Sequence, residues 1–214
     1  MSRKINKVYA RIPYSFSWTV FLHRIVFVKI WQNCIMGEAL MYEAEQNDNW
    51  YALFVITGEE EKVKERLNYK FSDRLRFLVP KRRLRERKNG KWFFNTRVLF
   101  PGYVLINGYI DIDDYYALKN VPGLIRLLRS GTDILQIDRK EIYLISKLMC
   151  NGEIIEFSKA LIENGKVVVV DGPLVSMEGI IVGIDHRKGR AKVRMSFLGE
   201  ERTVDLGISV LRPA

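Results

Sequence analysis

Hydrophobic and polar positions change rhythm several times along the chain. Asn49 to Ile56 (NWYALFVI) is dense in aromatic and β-branched residues, which suit a pleated, half-buried surface, and Thr57-Gly58 ends it, so a strand is predicted. GEEEKVKERLNYKF follows, with acidic residues early and Val63, Leu67 and Phe71 spaced i, i+4, i+8, the pattern of a short amphipathic helix over 58–71 capped by Thr57. A strand near 75–87, an Asn89-Gly90 turn and a return strand from Lys91 then read as a hairpin, because Asn-Gly supplies the positive φ angles of a two-residue loop. Gly102 to Ile106 reads as a buried strand, 112–120 as a helix with acidic residues early, Leu124 to Arg129 as a strand and Asp138 to Cys150 as a helix. In that last helix Ile142, Ile145, Leu148 and Met149 share one face.

The mixed-polarity run 151–164 is expected to be a linker. Beyond it, short apolar runs alternate with turn signals at Asp171-Gly172-Pro173, Glu178-Gly179, Lys188-Gly189 and Leu198-Gly199, the rhythm of a small five-stranded barrel. Four valines in succession, Val167 to Val170, disfavour a helix because branched side chains lose χ1 freedom against the preceding turn. The predicted class is α+β: an antiparallel sheet with helices over 49–150, the linker, and a β-barrel over 165–214.

Charge sharpens this picture. The 214 residues carry a formal +10, and residues 74–97 alone hold ten basic and one acidic side chain, so the excess is concentrated on the hairpin. A concentrated positive charge favours a polyanionic partner. Arginine forks suit phosphate and a neighbouring aromatic can stack on an exposed base, which makes Lys81, Arg82, Arg83, Arg85, Arg87, Lys88, Lys91 and Trp92 candidate RNA contacts. The turn His186, Arg187, Lys188 and Arg190 is a second, weaker candidate. Cys34 and Cys150 are far apart, and neither they nor His23 and His186 fall into a metal-ligand spacing or a nucleophile-base arrangement. No metal, cofactor or enzymatic activity is expected.

Residues 16–36 are apolar, but His23, Arg24 and Lys29 interrupt them, which argues against a membrane helix. Residues 1–48 are expected to be an extension, either disordered or not native. Gly37-Glu38 can be encoded by a purine-rich ribosome-binding sequence two codons ahead of Met41, which makes Met41 the expected start.

An ordered set of motifs resembles one family. Trp50-Tyr51-Ala52, Phe100-Pro101-Gly102-Tyr103-Val104, Val121-Pro122-Gly123, Val169-Val170-Asp171-Gly172-Pro173 and Glu178-Gly179-Ile180-Ile181 are similar, in order and spacing over about 49–214, to the NusG transcription elongation factors. The resemblance implies a NusG N-terminal domain followed by an SH3-like KOW barrel, in a monomeric cytoplasmic protein. It also implies binding to the clamp helices of the RNA polymerase largest subunit through an apolar patch, here Trp50, Tyr51, Phe100, Pro101 and Tyr103. The basic hairpin resembles the specialised LoaP and RfaH paralogues, which implies processive antitermination on a long operon with a leader RNA hairpin as partner. The barrel of such proteins also engages partners, a small-subunit ribosomal protein among them. General NusG and a ribosome-associated KOW protein are the alternatives.

Overall fold

A computed structural model describes residues 49–71, 74–150, 152–163 and 166–211, so the expected extension and Met41 lie outside the described residues. Its strands are β1 (Trp50–Val55), β2 (Arg76–Leu78), β3 (Lys81–Lys88), β4 (Lys91–Val98), β5 (Tyr103–Asn107), β6 (Leu124–Leu127), β7 (Arg129–Ser130) and β8 (Asp133–Ile134), followed by β9 (Ile154–Ile155), β10 (Ser158–Glu163), β11 (Lys166–Asp171), β12 (Ile181–Asp185), β13 (Arg190–Phe197) and β14 (Glu200–Val210). The helices are α1 (Glu60–Phe71), α2 (Ile112–Lys119) and α3 (Arg139–Met149). The class is α+β, with a helix-bearing first part and a strand-rich second part.

The first part is built on a four-stranded antiparallel sheet ordered β2-β5-β1-β6. Side chains alternate across a strand, so β1 and β5 present two distinct faces. On one face Leu53, Val55, Val104 and Ile106 pack with Val63, Leu67 and Phe71 of α1 and Leu118 of α2. The opposite face, with Ala52, Leu105 and the half-buried Trp50 and Tyr103, meets Ile145 and Leu148 of α3. Both α2 and α3 begin on aspartate caps: Asp111 forms a reciprocal capping box with Asp114, and Asp138 accepts from the Lys140 N–H.

The strand expected near 75–87 is two strands. It breaks at Val79-Pro80, β2 joining the main sheet and β3 leaving it to form the hairpin with β4, because proline has no N–H to continue a ladder. The expected linker is also corrected. Residues Ile154–Ile155 pair in parallel with β3, and Ser158–Glu163 pair with β11 and, in parallel, with β14. The five-stranded barrel sheet, ordered β11-β10-β14-β13-β12, therefore begins inside the segment expected to be free. The alternation of Ser158 and Ala160, both buried, is what places that segment in the barrel.

Phe100-Pro101-Gly102-Tyr103 is a turn that delivers the chain from the hairpin into β5. Tyr103 N–H donates to the Phe100 carbonyl (3.2 Å), and Gly102 sits at φ +84°, the geometry of a type II turn with Pro and Gly at its central positions. Glu60, 3% exposed, holds this turn from below by accepting from the Gly102 N–H (2.8 Å) and the Gly58 N–H (2.9 Å). The second bond explains why α1 starts at Glu60, two residues later than expected. Removing a buried charged acceptor leaves two donors unpaired. Glu60→Ala is expected to cost about 2–6 kcal/mol in urea unfolding, from roughly 1–3 kcal/mol for each of the two lost bonds; a loss below about 1 kcal/mol would show that the carboxylate does not hold the turn.

Candidate functional site

Four of the five residues expected on the apolar patch fall on or beside one face of the sheet. Trp50, Phe100 and Tyr103 join the same apolar cluster, and Pro101 is exposed at the turn between the last two. Tyr51 does not join them. One residue on from Trp50, it packs with the α1 and α2 side, where burial, and secondarily Tyr109, raises its phenol pKa. The period-two alternation of a strand separates the pair.

Phe100 is 2% exposed, and what covers it is the barrel. Its ring stacks face to face on Phe197, with centroids 3.8 Å apart and planes 1° from parallel, and Tyr103 meets the same ring edge-on at 5.4 Å. Arg202 lies over both Phe197 (5.4 Å) and Tyr103 (5.6 Å). A continuous apolar cluster runs from Ala52, Leu105, Ile145 and Leu148 into Val193, Met195, Phe197 and Leu206.

A second contact fixes the angle of the two parts. Glu141, in the first turn of α3, accepts from Ser196 Oγ (2.6 Å) and from the backbone N–H groups of Leu198 (2.8 Å) and Gly199 (3.0 Å). These donors lie in and beside the β13–β14 turn, where Leu198 and Gly199 both have positive φ (58° and 77°), as a two-residue hairpin of this kind requires. The third contact is a close approach of backbones. A Cβ on Gly207 of β14 would lie 2.8 Å from the Arg83 carbonyl of β3 and 2.6 Å from the Phe157 ring.

The basic hairpin is less free than its composition implies. Lys81 pairs with Glu61 (2.9 Å) and Glu153 (3.6 Å), Arg83 with Glu156 (3.2 Å), and Arg97 forks onto Glu86 through two 3.0 Å bonds. The net charge expected on the hairpin is partly offset: besides its own Glu86, carboxylates arrive from α1 and from residues 153–156. Arg82 donates to the Asp205 carbonyl (2.7 Å), and Arg85 both donates to the Arg187 carbonyl (3.3 Å) and lies 4.4 Å over Trp92. Arg87, whose Nε reaches the Gly90 carbonyl, stands with Lys88, Lys91 and Trp92 toward the tip. On the barrel turn, Lys188 stays near Asp185 (3.9 Å) and Arg190 pairs with Asp205 (3.1 Å). Glu141, Phe197 and Gly207 were not among the residues singled out from sequence; a glycine inside a strand is a signal of close approach that could have marked the last.

Residues 48–146 match the family described as "Transcription termination factor nusG". They resemble a NusG domain. The NusG termination/antitermination protein of Halalkalibacterium halodurans is 37% identical over 82 residues, 36% of this chain and 46% of that protein. The Bacillus subtilis protein is 34% identical over the same shares, so these matches span about half the length of those two relatives. The Rickettsia felis NusG is 28% identical over 181 residues, 81% of this chain and 94% of its own. A solved structure described as "Domain interaction in Thermotoga maritima NusG" superposes with a TM-score of 0.50 at 25% identity, covering 75% of this chain and 94% of that one. Proteins of the NusG family are transcription factors and not enzymes. Among the described residues no group of three or more His, Cys, Asp or Glu is placed to hold a metal, and no helix is long and apolar enough to cross a membrane.

Two outcomes test the seam and the hairpin. In Glu141→Ala the Leu198 and Gly199 amides lose their acceptor, so their hydrogen exchange is expected to quicken about tenfold or more, about 1.4 kcal/mol, while Val193 and Val204 inside the barrel keep theirs; unchanged exchange at Leu198 would remove Glu141 from the seam. Glu86 is held below the usual carboxylate pKa by its bonds first to Arg97 and then to Asn95. Its contribution to the hairpin is therefore complete above the unfolded carboxylate value and is lost as pH falls through the lower folded value. Carboxyl NMR titration should place Glu86 below the ordinary glutamate value, and in Arg97→Ala it should move back up.

Proposed function

We propose that this chain is a NusG-type transcription elongation and antitermination factor that binds RNA polymerase without catalysing a reaction and rests with its barrel covering the polymerase-binding face. The face is Trp50, Phe100, Pro101 and Tyr103, and the polymerase element it fits is the apolar side of the clamp helices. The observation that carries this reading is the Phe100–Phe197 stack, which puts the most deeply buried aromatic of the FPGY turn beneath a second domain instead of within its own. A large aromatic held there is the type of anchor that dominates an interface when its cover moves away.

A covered face supports the specialised role over the general one. A factor that acts on chosen operons gains from being silent elsewhere, and the fraction of open molecules directly scales its apparent affinity for polymerase. The exposed hairpin tip, Arg87, Lys88, Lys91 and Trp92, is the part suited to a leader RNA, which would raise the local concentration of the factor at one operon.

Substituting Phe197 by Ala removes the cover without touching the face. Binding to core RNA polymerase is expected to tighten about tenfold if the closed form outnumbers the open one by about ten to one. Adding Phe100→Ala and Tyr103→Ala should then abolish the gain. Polymerase affinity indifferent to all three substitutions would place the binding face elsewhere.

A further inference from the structure

The basic hairpin and the barrel turn 185–190, separate in sequence, meet at the domain seam. Arg82 and Arg85 of the hairpin reach across it and end on backbone carbonyls of the barrel. A carbonyl orients a guanidinium without cancelling its charge. Arg82 shares its one nearby carboxylate, Asp205, with Arg190; burial, more than the opposing pull of Asp205, lowers its pKa, and Arg190 adds to the lowering. The other carboxylates at hand are engaged: Glu86 by Arg97 and Asn95, and Asp185 by the Lys188 N–H (2.9 Å). The seam therefore carries more cation than anion in a partly desolvated place, where repulsion is weakly screened. Beside it Trp92 and Phe94, 41% and 66% exposed, share one face of β4, with Arg85 on the Trp92 ring.

We propose that the closed molecule binds one RNA across the seam, with phosphates bridging Arg87 and Lys88 of the hairpin to Arg187 and Lys188 of the barrel turn and an unpaired base on Trp92. The chemistry selects RNA with an open loop: unstacked bases can lie on an aromatic ring, whereas a duplex presents only phosphates to such a surface. This rests on the RNA reading above and adds the second domain and a direction of coupling. A ligand that touches both domains favours the arrangement that joins them. RNA is then held while Phe100 is still covered, and opening toward polymerase keeps the hairpin half of the contact and surrenders the turn half.

Anisotropy of a labelled RNA stem-loop with an open mixed-sequence loop, titrated with the full chain at several salt concentrations, tests this against a duplex DNA of the same length. Arg87→Ala/Lys88→Ala and Arg187→Ala/Lys188→Ala are each expected to weaken binding about tenfold and to take roughly 0.7–0.9 per lost phosphate contact from the salt slope. Trp92→Ala should weaken binding with the slope unchanged. In Glu141→Ala/Phe197→Ala, where the seam is open, the turn pair should have no further effect. A turn pair that is silent in the intact chain, or equally costly in the opened one, overturns the bridging and leaves RNA on the hairpin alone or on two independent sites. Equal affinity for duplex DNA, or no binding to the intact chain, overturns the RNA reading itself.

Discussion

The face-to-face contact of Phe100 with Phe197 is the interaction on which the arrangement of this protein depends. The sheet β2-β5-β1-β6 is apolar on both sides, and its own helices α1 and α2 cover only one. The other side has α3 over part of its area and needs something more, since aromatic and aliphatic surface exposed to water costs free energy in proportion to its area. The barrel supplies the cover with the last side chain of β13's inward row, Ala191, Val193, Met195, Phe197. A stacked pair contributes about 0.5–1.5 kcal/mol beyond the burial of its area. The burial of the surrounding apolar cluster adds to it.

Glu141 and Gly207 make the contact specific. An apolar face alone tolerates sliding, but a carboxylate that accepts three bonds from one hairpin turn fixes where that turn can sit. Gly207 allows β14 to approach the Arg83 carbonyl at a distance that any side chain would prevent. The same two features are reversible on opening, because Glu141 is in the first turn of α3 and the freed amides belong to a turn that water can solvate.

Much of this fold is readable in the sequence because it is local. The i, i+4, i+8 series of Val63, Leu67 and Phe71, the Asp138 cap, the Asn89-Gly90 turn and the punctuated barrel each depend on neighbours a few residues apart. Two misreadings were also local: Pro80 inside a run marks the break between β2 and β3, and the alternation of Trp50 and Tyr51 assigns them to opposite faces. What was not readable is nonlocal. Residues 158–163 look like a linker until β14, about fifty residues later, supplies a parallel partner. The hairpin looks like unpaired charge until Glu61, Glu153 and Glu156 arrive from elsewhere in the chain. Phe197 looks like ordinary barrel core, and only the assembled seam shows that its ring faces another domain.

The seam sets two opposed forces side by side. Around Phe197 and Glu141 apolar area and hydrogen bonds draw the domains together; around Arg82, Arg85, Arg187 and Arg190 like charges resist, with Asp205 paired to Arg190 among them. The attractive side is insensitive to ionic strength, since burial of rings does not involve mobile ions, while the repulsive side weakens as salt screens it over about 10 Å at 0.1 M. On the proposed reading, polymerase and a polyanion would act on different halves of one balance. A surface that competes for Phe100 removes the attraction and opens the molecule, and phosphates that fill the cationic half remove the repulsion and close it. If the two ligands favour opposite arrangements in this way, the order in which they engage would matter, and a transcript that retains only the hairpin half would pass the molecule from the second state to the first.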